Sequence, residues 1–261
     1  MPFKVQVGPP QISIHQGQTV LISDPDGQIS WPSDRGLYFL DTRVLSAWAI
    51  YANGEPWDLL NGGAISYDAA RVYLTNRTIA TEDGSIPSRT LGLTISRTIS
   101  GGVHEDLDIT NNRPKRVRFQ LEIASRSDFA DIFEVKSGRI VRRGRITTDW
   151  SKAHQQLQTN YRNGEFTRAL IVRPQQQKAV YANGRMSFEV ELEPGAAWHC
   201  CLLYTLIDGD QQVAGPRTCI GQAHKSHHAE TLADWLRTVL KVRTSNEEFY
   251  RLYRQGHCHV N

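Results

Sequence analysis

The sequence predicts an all-β protein: a large two-sheet antiparallel β-sandwich followed by two short C-terminal helices. Three observations lead there. Short runs of alternating apolar and polar residues fill positions 1 to about 220. Turn signals, Asn-Gly pairs among them, separate these runs at short intervals. Only near Gly221 does the apolar spacing change from two to that of a helix. Nothing in the order of elements suggests parallel βαβ units.

Taken in order, residues 19–23 are short and β-branched, and Asp24-Pro25-Asp26-Gly27 is a turn. Residues 36–40 form a strand leading into Asp41-Thr42-Arg43. Asn53-Gly54 favours a two-residue type I′ hairpin, with Ile50 opposite Trp57 and Trp48 opposite Leu59. Residues 91–99 and 103–109 alternate around Ser100-Gly101-Gly102, a loop with glycine in the left-handed position. That register sets Ile95 opposite Leu107 and Arg97 opposite Glu105 on the apolar face. Each charge alone would be costly to bury, so Arg97 and Glu105 are expected as a buried cross-strand ion pair.

Residues 117–123 alternate cleanly, and 139–148 read as a basic strand. Asn163-Gly164 joins two strands, with Tyr161 facing Phe166 and Leu157 facing Leu170. Asn183-Gly184 opens a strand with one apolar and one acidic face. Residues 198–206 are nearly all apolar and read as a central strand. Beyond Gly221, Leu232, Trp235, Leu236 and Val239 make one helical stripe. Ser245-Asn246-Glu247-Glu248 resembles a capping box, with Phe249, Leu252 and Tyr253 as the apolar face behind it. The expected division is a β-sandwich over 1–221, a helical linker over 222–256 and a disordered tail over 257–261.

Composition narrows the function classes. The 261 residues are 39% hydrophobic and 22% charged, as in soluble globular proteins. A net charge of +3 is too small to argue for nucleic acid or a membrane surface. No stretch has the apolar length of a bilayer span, and the first residues lack a signal-peptide layout, so a cytoplasmic location is expected. Cys200, Cys201, Cys219 and Cys258 form no C-x-x-C. Adjacent Cys200 and Cys201 point to opposite faces of a strand and read as small core residues. His224, His227 and His228 read as a solvated helix start, and His257, Cys258 and His259 as tail, so no metal is expected. No P-loop or dinucleotide fingerprint is present, and no cofactor is expected. Of the six tryptophans, Trp31 and Trp150 lie near loops and are the better candidates for stacking on sugar.

The densest chemistry lies in Ser125-Arg126-Ser127-Asp128-Phe129-Ala130-Asp131-Ile132-Phe133-Glu134-Val135. Asp128, Asp131 and Glu134 recur every three residues, which on a helical turn puts the acids on one side and the rings on the other. Asp128 is placed to cap that turn. A glycosidase needs two carboxylates about 5–9.5 Å apart, so these acids are also candidates for a small hydrolase. The plainer reading is a turn whose rings plug the core while its acids bind amides or arginines.

This stretch resembles the N-terminal domain of bacterial glycogen debranching enzymes of the amylo-α-1,6-glucosidase type. So do Leu21 to Gly27, Gly36 to Arg43, Asn53-Gly54 with Leu59-Leu60, Tyr73 to Asn76, Arg97, Glu105 and Asn111, in the same order. The resemblance implies a non-catalytic β-sandwich placed before an α/α-toroid that acts on α-glucans and carries the catalytic carboxylates. It marks Asp41, Arg43, Asp128, Asp131 and Glu134 as candidate interface or glycan contacts. The chain ends where that toroid would begin, so a truncated or split enzyme is expected, docking to a toroid or self-associating without one. A stand-alone carbohydrate-binding module is the alternative.

Overall fold

Alternation along the chain becomes strands, and the turn residues set their register. In the computed structural model, Asn53 and Gly54 both have positive φ, 48° and 81°, the backbone of the expected tight turn. The strands Leu91–Ser100 and Gly102–Asn111 pair from Leu91↔Asn111 to Ser100↔Gly102, with Gly101 at the tip. A Cβ on Gly102 would lie 2.3 Å from the Tyr204 carbonyl oxygen, so only glycine fits there. The structure describes residues 9–82, 84–219, 237–238, 241–242, 244–250 and 253. The chain divides into two units, Met1–Arg217 and Thr218–Asn261.

Every named strand ladder in the first unit is antiparallel. The largest sheet has thirteen strands. One stretch of it runs Arg145–Ser151, Gln156–Asn163, Phe166–Gln175, Ala197–Asp208, Gly102–Asn111, Leu91–Ser100, Ala69–Asn76. The strand Glu55–Ala64 then leads to Ala47–Ala52, Val117–Arg126, Arg185–Leu192 and Val180–Ala182. These last four strands lie over the first stretch, where Phe188 meets Trp198 at ring centroids 5.8 Å apart, and Trp57 of the connecting strand meets Phe119 at 6.5 Å. The two layers of the sandwich are therefore one hydrogen-bonded sheet folded at Glu55–Ala64. A five-stranded sheet begins with Ile12–Gln16 and Thr19–Ser23 and covers more of the same core. The path also returns on itself: Trp150 of its first strand stacks on Tyr181 of its last, at 5.9 Å.

The fold at Glu55–Ala64 changes one expected register. Only Tyr51↔Pro56 and Ala52↔Glu55 pair across the Asn53-Gly54 turn. Past Trp57 the strand pairs with Ala69–Asn76 and slips register between Leu59 and Asn61. Trp48 is buried, but Leu59 is partnered by Leu74 and exposed. A second register differs by two residues. Asn163 pairs with Phe166 around Gly164-Glu165, so Tyr161 faces Arg168 and Leu157 faces Val172. Each side chain keeps its face, because the shift is even. Residues 139–143 are not strand; the basic strand begins at Arg145.

In the second unit, residues 237–238 and 247–250 are helical, and Asn246 Oδ1 accepts a hydrogen bond from Phe249 N at 3.0 Å. The stripe Leu232, Trp235, Leu236 and Val239, the histidines at 224, 227 and 228, Leu252 and the tail 257–261 lie outside the described residues. Among the described residues no helix is long and apolar enough to cross a membrane.

Candidate functional site

The acidic stretch is built differently from a single capped turn. Ala130–Asp131 first adds to the edge of the five-stranded sheet, pairing with Arg43 and Thr42. The helix Ile132–Ser137 follows, capped by Asp131 rather than Asp128. Asp131 Oδ1 accepts from Phe133 N at 2.8 Å, and Glu134 Oε2 accepts from Asp131 N at 3.2 Å. Asp128 is instead taken by Arg43, whose Nη2 lies 2.5 Å from Oδ2. Arg43 Nε also donates to Asp128 Oδ1 at 3.2 Å, and Nη1 donates to the Ser33 and Arg35 carbonyls, so this buried cation is held by several acceptors. Glu134 also pairs with Arg143. Asp41 is exposed, and its carbonyl accepts from Ile132 N at 2.9 Å. Phe129 turns into the core with φ 50° and stacks on Tyr161 at 5.4 Å, whereas Phe133 is 75% exposed and plugs nothing. Four of the five candidate contacts are thus held by internal partners, and no two of the three acids are left together as a reactive pair.

Other residues behind the resemblance do similar internal work. Arg97 Nε lies 2.5 Å from Glu105 Oε2, and Nη1 donates to the Gly27 carbonyl at 2.5 Å. The guanidinium lies 4.7 Å from the Trp48 ring centre. Tyr204 donates its hydroxyl to Glu105 Oε1 at 3.0 Å. Burial, with the Glu105 charge behind it, holds the Tyr204 phenol well above its ordinary pKa. Asn76 Oδ1 accepts from Thr90 N and Leu91 N, and its amide donates to the Arg77 and Pro87 carbonyls. Asn111 donates to the carbonyls of Lys115, Leu192 and Glu193. Each motif pins a turn to a strand.

Trp31 is 47% exposed, with the Arg126 guanidinium 4.6 Å from its ring centre. Trp150 is half-buried under Tyr181. Exposed apolar side chains gather on and beside the Glu55–Ala64 strand: Leu59, Leu60, Ile65 and Tyr73.

Sequence reasoning missed a polar cluster on the face of the large sheet opposite the core. His104, Asp106 and Asp108 alternate along Gly102–Asn111, and Asp106↔Cys201 and Asp108↔His199 pair across to Ala197–Asp208. His104, Asp106 and Cys201 are buried there, while the His199 side chain is 35% exposed. The signal was present as His-x-Asp-x-Asp and His-x-Cys at strand period. Burial opposes a charge on His104, but hydrogen bonds to Asp106 and the Pro216 carbonyl and the Asp106 charge outweigh it, so its pKa is raised. Cys200, on the core side, has its thiol pushed up to about 12 by burial.

An antiparallel sandwich of this size, with its acids held internally, is a β-domain to which the solved structures supply fold relatives. A human-microbiome protein assigned as a kojibiose phosphorylase aligns with 95% of the chain at TM-score 0.52 and 10% identity. The chain spans about a third of that protein, 35%. A Synechocystis protein aligns over 80% of the chain and 100% of its own length, at TM-score 0.50 and 10% identity. An Escherichia coli K12 protein assigned as an aldose 1-epimerase covers 76% of the chain and 99% of itself, at TM-score 0.44 and 10% identity. No curated protein matches the chain. The family model for the N-terminal domain of some glycogen debranching enzymes matches residues 14–203. The chain belongs to that family and is a domain associated with carbohydrate enzymes.

Proposed function

We propose that this chain is the non-catalytic β-sandwich of a glycogen-debranching-type glycosidase, docking to an α/α-toroid that acts on α-glucans. The family match over residues 14–203 carries this reading. The internal engagement of Asp128, Asp131 and Glu134 supports a role other than hydrolysis. Leu59, Leu60, Ile65 and Tyr73 offer apolar surface of the kind that docking covers, and that favours self-association when no toroid is present. A cytoplasmic setting suits the reduced thiol of the buried Cys200.

The test is calorimetric titration of the chain with a separately purified toroid domain of a debranching-type enzyme. Saturable binding is expected, weakened tenfold or more in a Leu60→Ser, Tyr73→Ser variant. The chain alone should release no glucose from a branched α-glucan. Release abolished by Asp131→Asn or Glu134→Gln would replace this reading with a hydrolase. The exposed Trp31 ring favours one second reading, a stand-alone glycan-binding module. Glycan-array binding that Trp31→Ala removes, without toroid binding, would establish it.

A further inference from the structure

We propose that a groove on the outer face of Val117–Arg126 and Arg185–Leu192 binds a neutral oligosaccharide. Strand alternation sends Phe119, Leu121, Phe188 and Val190 into the core. It leaves Arg118, Gln120, Glu122, Arg185, Ser187 and Glu189 on the other side. Two clefts open there. One, of about 340 Å³, has Asn53, Glu82, Arg118 and Glu189 in its lining. The other, of about 500 Å³, has Val180, Asn183, Arg185 and Ser187. Gln120 lines both. Each volume is that of a small-ligand site. From Arg118 to Glu122 the strand advances about 13 Å, the reach of a short sugar chain.

Hydrogen bonds build the walls of this groove. The Asn53 amide donates to the Ala80 carbonyl at 2.8 Å, and its Oδ1 accepts from Gln120 N at 2.7 Å. These two bonds fasten the hairpin Ile79–Thr81 with Gly84–Ile86 beside the first cleft. The strand Val180–Ala182 and the Asn183-Gly184 turn border the second. Within the groove, Arg118 Nε donates to Glu189 Oε1 at 2.7 Å, and Arg185 Nη1 to Glu122 Oε1 at 3.0 Å. The second oxygen of Glu122 accepts from Gly54 N at 2.7 Å. Side chains held in this way before a ligand arrives lower the ordering cost of binding.

The lining selects an uncharged ligand. Both of its arginines are paired with glutamates, so neither cation is left over for an anion. Among the described residues, Glu82 is the one lining charge without an ion pair. The unspent groups are neutral: the side chains of Thr81, Gln120, Asn183 and Ser187 make no hydrogen bond to the described residues. Such hydroxyls and amides hold water that sugar hydroxyls can replace bond for bond. Val180, 67% exposed, adds apolar surface for the C–H face of a sugar ring. Val180, Ser187, Glu122 and Tyr51 follow one another across the sheet, and the Arg185 guanidinium lies 5.2 Å from the Tyr51 ring centre. An aromatic ring therefore stands at the border of the second cleft, where a pyranose can pack on it.

The choice of an α-glucan as probe rests on the proposed function, while the groove itself does not. The experiment titrates the full chain with maltoheptaose and follows backbone amide shifts by NMR. Saturable shifts are expected at 118–122 and 183–189. Gln120→Val with Ser187→Val removes two unspent polar groups at strand positions that valine suits. It should weaken maltoheptaose at least tenfold and leave toroid binding unchanged. Maltoheptaose binding without toroid binding would support the groove and remove the docking reading; toroid binding without maltoheptaose shifts would do the reverse. Oligogalacturonate of the same length, which is anionic, should bind more weakly, and tighter binding would overturn the neutral-ligand assignment. Shifts centred on Trp31 instead, or wild-type affinity in the double variant, would also overturn the proposal. Should the double variant not fold, the shift map of the parent chain and the oligogalacturonate comparison still decide it.

Discussion

Arg97 divides its guanidinium between Glu105, the Gly27 carbonyl and the Trp48 ring, while Tyr204 holds the far oxygen of Glu105. A buried pair so completely bonded is expensive to break from one side, because the charge left behind keeps its desolvation cost. Arg97→Met should therefore destabilise the sandwich by about 3–5 kcal/mol in urea unfolding. Removing both charges, in Arg97→Met with Glu105→Leu, should recover most of that loss. A double variant no more stable than the single one would show that the stabilisation lies in the Gly27 bond and the Trp48 contact instead. This pair was legible in the sequence because strand alternation fixes which side chains share a face. Its partners Gly27, Trp48 and Tyr204 were not, because no local pattern tells which distant turn or strand will lie above a given arginine.

The helix Ile132–Ser137 shows where local reading stops. Acids at every third residue correctly indicated a capped turn, but two of them satisfy the spacing for a cap. Tertiary structure decides between them: Arg43, drawn into the core by the five-stranded sheet, claims Asp128 and leaves Asp131 to the helix. The two acids should respond differently to removal. Asp131→Ala should cost about 1 kcal/mol, as loss of an N-cap does, and lower amide protection only in 132–138. Asp128→Ala strands a buried guanidinium and should cost more, with protection falling across the five-stranded sheet as well. Equal effects on global unfolding would reverse this assignment of roles. The Asn163-Gly164 hairpin has a related origin. Its turn was read at Asn163-Gly164, but Gly164-Glu165 occupies the tip, and the partners moved by two.

At the scale of the whole molecule, the all-β architecture and its hairpins could be read from periodicity and turn chemistry. The continuity between layers could not, since it depends on Glu55–Ala64 changing partner strand between Pro56 and Trp57. The polar cluster on the outer sheet face was hidden for another reason. Its members lie about ninety residues apart in sequence, and only the pairing of Gly102–Asn111 with Ala197–Asp208 joins them. The stacked rings of Trp150 and Tyr181 carry one more consequence. They bring together Arg145–Ser151 and Val180–Ala182, the two ends of the sheet path, where unpaired amides and carbonyls can template a further strand. The Ala179 amide donating to Gln155 Oε1 at 2.9 Å fastens the same seam. Trp150→Ser should loosen both borders at once. The expected result is concentration-dependent growth of cross-β assemblies, read by thioflavin fluorescence, while a variant that stays dark at high concentration would show that each border is protected by itself. Two aromatic rings at the end of a sandwich would then act as its guard against polymerisation.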